Sequence, residues 1–288
     1  MKMPPFRYLR PCSLVEAASL LEQYGDGAQI LAGGQSLLPT LSLRLSHPSI
    51  LIDINRIKDS AQLEECEGML RCGALVRHAE LERSELTRRR VPLLAMALPH
   101  VAHMAIRNRG TPCGSVALAD PAAEIPACAV ALQAEVLLQG ALESRIVAAE
   151  EFFLGLYETA RSPTEVVAEL RFPVAAPSDR FGFMELARRM GDFAIVGIAA
   201  RASVHDGRVA DMRCVIFGCE PKPRVSKAAA ELARGAPVDT FPINAVADAM
   251  AVEADPMENA QGDAGTKRQQ TRTLASRLLT RMFTERPA

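Results

Sequence analysis

The chain has 288 residues, of which 49% are hydrophobic and 23% charged, a composition typical of a globular protein with one large domain or two smaller ones. Its 33 basic and 34 acidic side chains nearly cancel, so charge gives no reason to expect a nucleic acid or an anionic membrane as partner. No apolar run is long enough to span a bilayer, and the N-terminus lacks the apolar stretch of a secretory signal, so we expect a cytoplasmic protein.

The predicted elements begin with a helix, which starts at a capping box on Ser13 and ends at Gly25. A strand over residues 29–32 then runs into a Gly-Gly pair. Ser36 occupies the N-cap position of a second apolar segment. Residues 50–54 follow it, and their β-branched content predicts a buried strand.

The middle of the chain predicts the rest of a first α+β domain. A strand and a turn from Leu70 lead into one long helix over residues 92–106, whose apolar positions share a face. We expect this helix to break before Gly110 and to be followed by a loop. Short strands near residues 135–138 and 166–172 complete the domain.

The pattern changes after residues 173–178, a stretch of prolines and small residues that predicts a linker. Two strands over residues 194–204 and 209–218 are joined by an Asp-Gly step, which is typical of a hairpin. Three helical stretches follow, the last over residues 266–283. Its arginines are expected on a solvated face: Arg268, Arg272, Arg277 and Arg281.

The cysteines give no sign of a disulfide framework or a cluster site. Their number is odd, the chain is not small and no Cys-x-x-Cys pair occurs, so we expect reduced and mostly buried thiols. The spacing also lacks the closely placed thiolates that an iron–sulfur cluster needs. The seven positions are Cys12, Cys66, Cys72, Cys113, Cys128, Cys214 and Cys219.

Two short glycine-containing loops carry the main chemical signal: Gly33-Gly34, and the segment from Thr111 to Ser115. Glycine lets backbone amides approach a bound group, and amides that point inward at a turn form a concave anion site. With hydroxyl donors from Ser36, Thr111 and Ser115, two such loops would grip the central phosphates of a dinucleotide from both sides. A purely structural role for both turns is the alternative.

Other catalytic motifs are missing from the sequence. A Gly-x-Gly pair at the end of the first helix lacks the third glycine of a Rossmann fingerprint, and neither a phosphate loop nor a nucleophile elbow occurs. No carboxylate or cysteine is placed to complete a metal site with His100 and His103, so we expect no metal. Asp120 and Glu124 would serve as an acid/base pair, as acceptors for sugar hydroxyls, or as helix caps.

At the two loops the sequence resembles the FAD-binding medium subunits of the molybdenum hydroxylases, the family of carbon monoxide dehydrogenase with xanthine dehydrogenase as a relative. The resemblance covers nearly the whole chain in order, which is more specific than any one glycine pair. Its segments are Ala32-Gly33-Gly34-Gln35-Ser36 within residues 30–39, Asp53-Ile54-Asn55 within residues 51–57, Arg109-Gly110-Thr111 through Asp120-Pro121-Ala122-Ala123-Glu124, and Gly191-Asp192-Phe193-Ala194 within residues 188–197.

The resemblance implies an α+β fold in two domains. Residues 1–176 would form an FAD-binding domain of the PCMH type, divided into subdomains of residues 1–57 and 58–176 with FAD between them. Residues 177–288 would form a C-terminal domain of the carbon monoxide dehydrogenase flavoprotein type. That domain would consist of three antiparallel strands packed against a three-helix bundle.

The resemblance also assigns FAD contacts by position in the family's motifs. The backbones of the two loops would hold the pyrophosphate, two acidic residues would lie near the sugar-like portion of FAD, and one aromatic residue would lie near the isoalloxazine ring. These residues are Ala32, Gly33, Gly34, Gln35, Ser36, Thr111, Pro112, Cys113, Gly114, Ser115, Asp120, Glu124 and Phe193.

Four positions depart from the family pattern. Relatives usually have Thr-Ile-Gly-Gly in the second loop, where this chain has Pro112 and Cys113, and proline removes one amide donor. Leu118 stands where a histidine is frequent, and Glu185 lies in a region where a lysine near the flavin is common.

The function that the resemblance implies is electron transfer by an oxidoreductase subunit. A large molybdopterin-binding subunit would hydroxylate the substrate, and a small 2Fe-2S subunit would pass the electrons to FAD on this chain. FAD would hand them to NAD, oxygen, a quinone or another carrier, within a dimer of heterotrimers. No catalytic residue is expected here, because FAD carries the redox chemistry. The alternatives are a scaffold that has lost FAD, motivated by Pro112 and Cys113, and a stand-alone flavoprotein oxidase.

Overall fold

The computed structural model describes residues 3–284, and its N-terminal part is built on a parallel three-stranded sheet of order β1-β3-β2. The predicted first helix is confirmed, with the Ser13 hydroxyl accepting a hydrogen bond from the Glu16 amide at 3.1 Å. Its apolar residues Ala17, Ala18 and Leu21 pack into the same buried cluster as the sheet. The elements are β1 (Arg7–Leu9), α1 (Leu14–Tyr24), β2 (Ala28–Leu31), α2 (Leu37–Ser42) and β3 (Ile50–Asp53).

The middle of the chain forms an antiparallel five-stranded sheet of order β4-β5-β10-β6-β7, covered by helices. The strands predicted near residues 135–138 and 166–172 are confirmed and pair with each other. The elements are β4 (Leu63–Cys66), β5 (Met69–Gly73), α3 (His78–Arg83), α4 (Glu85–Arg90), α5 (Pro92–Ala97), α6 (Met104–Arg107), α7 (Pro112–Leu118), α8 (Glu124–Ala131), β6 (Glu135–Gln139), β7 (Ser144–Ala148), α9 (Ala149–Phe152), β8 (Phe153–Gly155), β9 (Glu158–Thr159) and β10 (Val166–Pro173).

The prediction of one long helix over residues 92–106 is wrong. After α5 the chain tightens into a 3-10 turn that contains Pro99, and Ala102 adopts a left-handed conformation with a φ of 45° before α6 begins. Proline has no amide hydrogen for the hydrogen bond that a continuing helix needs, and an alanine at positive φ ends a right-handed helix. The apolar positions Leu93, Leu94 and Ala97 therefore lie in α5 and Ala105 in α6, whereas Leu98 and Val101 lie in the turn between the two helices.

The expectation of a loop over residues 111–115 is also wrong, because this segment opens α7. Thr111 is the N-cap, and its hydroxyl accepts a hydrogen bond from the Gly114 amide at 3.0 Å. Pro112 occupies the first helical position, where an amide has no partner within the helix and a proline is favoured. The proline that departs from the family pattern is therefore well suited to its position.

The C-terminal part is an antiparallel sheet of order β11-β12-β13-β14 with three helices. The predicted hairpin is confirmed, with Asp206 and Gly207 both at positive φ as a tight two-residue turn requires. The three expected strands are the long ones, and a two-residue strand extends the sheet. The elements are β11 (Asp179–Leu186), β12 (Val196–His205), β13 (Arg208–Phe217), β14 (Arg224–Val225), α10 (Lys227–Ala233), α11 (Ile243–Glu253) and α12 (Ala264–Thr284).

Both faces of this last sheet are covered, which explains the almost continuous apolar run of β12. Ala199 and Val215 belong to the core that includes α5 and α8, whereas Ile198 and Ile216 belong to the core that includes α11 and α12. Successive side chains of a strand point to opposite faces, so a strand buried on both sides needs no polar alternation.

Two smaller expectations can be compared with the described residues. All seven cysteines are free and five of them are buried, as expected. The four arginines of α12 are exposed or half-buried, as expected of a solvated face. Within residues 3–284, no helix combines the length and the apolar character needed to cross a membrane.

Candidate functional site

The first glycine loop presents a row of unused backbone amides. It connects β2 to α2, and Gly34 adopts a φ of 71°, a conformation that favours glycine. Among the described residues, the five consecutive amides from Gly33 to Leu37 donate to no acceptor, and Ser36 at the N-cap uses no side-chain hydrogen bond. Such a row of donors suits a multiply charged anion such as a pyrophosphate.

The structure brings the first loop against the chain that leads into the second. A methyl group on Gly33 would overlap with the Arg109 carbonyl oxygen and would lie 2.7 Å from the Gly110 Cα. A methyl group on Gly110 would in turn lie 3.0 Å from the ring of buried His78. Only glycine permits this approach of two backbones, which places the first loop beside Gly110, the residue before the second loop. That the two loops grip one phosphate group together stays a prediction.

A polar bridge that sequence reasoning missed holds the two loops in register. The Asn55 side-chain amide donates to the Ala32 carbonyl at 2.8 Å, and its oxygen accepts from the Arg77 guanidinium at 2.7 Å. The same guanidinium donates to the Arg109 carbonyl at 2.7 Å. Asn55 lies within a segment quoted for the resemblance, but nothing in the local sequence of Arg77 indicated its role.

A cavity of about 340 Å³ opens beside the first loop and this bridge. Burial raises the pKa of Asp53, but hydrogen bonds from the Tyr8 hydroxyl and from Asn55 outweigh burial and leave that pKa below its ordinary value. The cavity therefore has an ionised carboxylate that is already hydrogen-bonded, beside a guanidinium. Its lining residues are Tyr8, Leu31, Ala32, Gly33, Leu38, Asp53, Asn55, Arg77, Asn108 and Arg109.

In the second loop, fewer backbone amides lack an acceptor than Gly114 led us to expect. The Gly114 amide donates to the Thr111 hydroxyl and the Ser115 amide to the Thr111 carbonyl, both at 3.0 Å. The amides of Thr111 and Cys113 have no acceptor among the described residues. The Cys113 side chain points into the core, with its Sγ 3.5 Å from the Cys72 carbonyl oxygen, and burial raises the pKa of its thiol.

The two acidic residues after α7 have different surroundings. Asp120 is half-buried, and its carboxylate accepts hydrogen bonds from the Ala122 amide at 2.9 Å and the Tyr157 hydroxyl at 3.2 Å. Glu124 is the first residue of α8 and is buried, and burial together with the nearby Glu185 raises its pKa to about 8. Glu124 is therefore protonated for much of its time near neutral pH.

The remaining predicted contact, Phe193, lies on an exposed loop. Its side chain is 67% exposed, so a large apolar group faces solvent. The loop is anchored two residues earlier, where a methyl group on Gly191 would lie 2.8 Å from the Ala102 carbonyl oxygen. His103, which we did not expect to bind a metal, lies beside Gly191. His100, the other histidine of that pair, has its Nδ1 3.2 Å from Glu185 Oε1.

Comparison with known proteins accounts for both parts of the chain. Residues 4–175 match the family described as FAD binding domain in molybdopterin dehydrogenase, and residues 181–283 match the CO dehydrogenase flavoprotein C-terminal domain. The chain belongs to the FAD-binding subunits of the molybdenum hydroxylases. It is therefore a subunit of an oxidoreductase, its cofactor is FAD, and the expected α+β fold is confirmed.

Several relatives of this flavoprotein are similar over nearly their whole length. Subunit alpha of the 6-hydroxypseudooxynicotine dehydrogenase complex of Paenarthrobacter nicotinovorans is 35% identical over 97% of this chain and 95% of that protein. The carbon monoxide dehydrogenase of Hydrogenophaga pseudoflava contains a chain with a TM-score of 0.95 and 35% identity, covering 99% of both chains. For quinoline 2-oxidoreductase of Pseudomonas putida 86 the TM-score is 0.93 and the identity 32%, again over 99% of both chains.

The donors of the first loop fit the FAD that this family binds. A pyrophosphate carries negative charge on several oxygens, and the unused amides of residues 33–37 supply donors without a competing partner. The close approach of Gly33 to Gly110 leaves no side chain between the two backbones. The individual FAD contacts assigned from the sequence, and the domain boundary at residue 176, stay predictions.

Proposed function

We propose that this flavoprotein is the medium subunit of a molybdenum hydroxylase, and that it transfers electrons from the iron–sulfur clusters of a small partner subunit through FAD to an external acceptor. The observation that carries the proposal is the row of five unused amides held against Gly110 beside a polar cavity. The relatives support it, because they include the carbon monoxide dehydrogenase medium chain of Hydrogenophaga pseudoflava and the nicotine 6-hydroxylase medium subunit of Paenarthrobacter nicotinovorans.

In this proposal the chain binds and orients FAD, which supplies the redox chemistry when bound. The amides of residues 33–37 hold the pyrophosphate, with the Thr111 and Cys113 amides facing it from α7. The half-buried Asp120 side chain can accept hydrogen bonds from the ribose or ribityl hydroxyls. Phe193 is exposed enough to cover one face of the flavin ring and to shield it from solvent. No side chain of this subunit reacts with the hydroxylase substrate.

The partners in this proposal are a large molybdopterin-binding subunit and a small 2Fe-2S subunit, assembled as a dimer of heterotrimers. In this proposal, electrons from a substrate oxidised on the large subunit reach FAD through the clusters of the small subunit. The external acceptor is NAD, oxygen, a quinone or another carrier.

The experiment that tests the proposal compares the purified subunit with the purified complex. The visible absorption spectrum is recorded for each before and after incubation with FAD, and flavin reduction is then followed after the clusters have been reduced chemically. We expect flavin bands in both samples and fast flavin reduction only with the partner clusters. Reduction by organic substrates without partners would favour a stand-alone oxidase, and failure of the complex to bind FAD would favour a scaffold.

A further inference from the structure

The short hairpin of β8 and β9 reaches one of the two acidic residues predicted to lie near the sugar-like portion of FAD. Its strands pair Gly155 with Glu158, so Leu156 and Tyr157 form the turn at its tip. The Tyr157 hydroxyl donates a hydrogen bond to Oδ2 of Asp120 at 3.2 Å, across 37 positions of the sequence. Tyr157 is not among the residues assigned to FAD, so this contact has no role yet.

The backbone of Tyr157 adopts a conformation that a residue with a large side chain rarely has. Its φ is 56°, in the left-handed region where the Cβ of an L residue crowds the neighbouring carbonyl oxygen. A glycine or an asparagine would form the same turn with less strain. Strained residues of this kind cluster at ligand sites. The hydroxyl contact with Asp120 is therefore a feature of Tyr157 that the turn itself does not require.

The base of the hairpin is fixed to the protein core, so the position of its tip is defined. Phe152 and Phe153 precede the tip and are buried, with their rings edge to face at 5.3 Å between centroids. The Ala160 amide donates to the Phe152 carbonyl at 2.8 Å, and the Lys222 ammonium donates to the Phe153 carbonyl at 3.0 Å. The tyrosine at the tip is 56% exposed, but its hydroxyl is presented from a supported base.

The turn that carries Asp120 is fixed as well. The Ala123 amide donates to the Asp120 carbonyl at 3.0 Å, and the Gly218 amide donates to the Pro121 carbonyl at 2.8 Å. Oδ1 of the Asp120 side chain accepts a hydrogen bond from the Ala122 amide at 2.9 Å. The backbone at both ends of the tyrosine–aspartate contact is therefore held by hydrogen bonds.

The two oxygens of the Asp120 side chain thus have different donors. The Ala122 amide holds one oxygen, and within residues 3–284 Tyr157 is the only side chain that donates to the other. A single hydrogen bond leaves a carboxyl group free to rotate about its last bond, whereas bonds to both oxygens fix its plane. Each oxygen keeps a lone pair that can accept from a further hydroxyl.

We propose that Tyr157 is a positioning residue for FAD, whose hydroxyl fixes the plane of the Asp120 side chain so that its free lone pairs meet the ribose or ribityl hydroxyls. This role rests on the proposed function, in which Asp120 accepts hydrogen bonds from these hydroxyls. A side chain that is already oriented loses less conformational freedom when the cofactor binds, so a larger part of the interaction appears as affinity. Tyr157 acts through Asp120 and needs no contact of its own with FAD.

The role of Tyr157 is tested by titrating the FAD-free full-length subunit with FAD and following the flavin fluorescence. Tyr157→Phe removes the hydroxyl and should weaken FAD binding about 2- to 13-fold, the range that the loss of one hydrogen bond gives. In a subunit that carries Asp120→Ala, the same substitution should have no further effect, because Tyr157 acts only through that carboxyl group. Tyr24→Phe, at the last residue of α1, is the control and should bind FAD like the wild-type protein.

Two FAD analogues, one without the ribose hydroxyls and one without the ribityl hydroxyls, separate positioning from a merely structural role of the hairpin. The effect of Tyr157→Phe should vanish with the analogue that lacks the hydroxyls contacted by Asp120, which identifies their source. An equal effect with both analogues, or an undiminished effect beside Asp120→Ala, would overturn the proposal. So would wild-type FAD affinity in Tyr157→Phe.

Failure of this inference can be told from failure of the proposed function. If the wild-type subunit bound FAD and Asp120→Ala bound it equally well, the positioning role alone would be wrong. If neither the wild-type subunit nor its complex bound FAD, the proposed function would be wrong as well. Should Asp120→Ala fail to fold, as judged by circular dichroism, the two analogues decide the question with Tyr157→Phe alone.

Discussion

Replacing Gly33 by alanine should separate the two loops that hold FAD. The new methyl carbon would lie 2.7 Å from the Gly110 Cα, whereas ordinary contacts of a Cβ begin at 3.4 Å, so the backbones must move apart by about 0.7 Å there and by more at the Arg109 carbonyl oxygen, which is closer still. Overpacking of this kind costs about 1–3 kcal/mol. If the whole cost falls on the FAD-bound arrangement, FAD affinity drops by roughly 5- to 150-fold.

The assay is a titration of the FAD-free subunit with FAD, followed by the change in flavin fluorescence, together with urea unfolding of the same sample. Gly265→Ala is the matched control, because Gly265 lies in the first turn of α12 and its nearest neighbour is a flexible carboxylate at 3.3 Å. We expect the control to bind FAD like the wild-type protein. Wild-type affinity in Gly33→Ala would show that the close contact of the two loops does not shape the FAD site.

Three further predictions follow from other parts of the structure. Arg77→Ala removes the bridge between the loops and should weaken FAD binding about 10- to 150-fold, by the loss of about 1.5–3 kcal/mol. Arg83→Ala is the control and should bind FAD like the wild-type protein, because the Arg83 side chain bonds only within the same helix. Because the folded-state pKa of Glu124 is raised from 4.5 to about 8, the folded chain binds the extra proton, so the free energy of unfolding should fall as pH rises through this interval. Urea unfolding should show a flatter profile for Glu124→Gln, and equal profiles would contradict the assignment. Lys267→Met removes the buried ammonium that donates to the Met257 carbonyl and the Asn259 side-chain oxygen, and it should lower the free energy of unfolding by about 1–3 kcal/mol while FAD affinity stays unchanged. An unchanged unfolding midpoint would refute this prediction.

The elements that could be predicted from the sequence are those whose ends are set by local chemistry. Helix α1 begins at a serine that caps it, and the β12–β13 hairpin turns at an Asp-Gly pair that tolerates positive φ. The three-residue strand β1 was not predicted, because its pairing with β3 depends on residues more than 40 positions away. The error over residues 92–106 has a local cause, since Pro99 stood inside an apolar pattern that continues across two helices.

The glycines of the candidate site could be predicted from the sequence, but the residues that position these glycines could not. A glycine pair indicates that two backbones or a ligand approach closely, and Gly33 meets Gly110 in that way. Which backbone meets which depends on Asn55 and Arg77, whose hydrogen bonds join three separate segments and leave no local pattern. The Arg77 guanidinium contributes to the site because it donates a hydrogen bond to the Arg109 carbonyl, against which Gly33 packs. A change at Arg77 should therefore alter the FAD site through the backbone of Arg109 and Gly33.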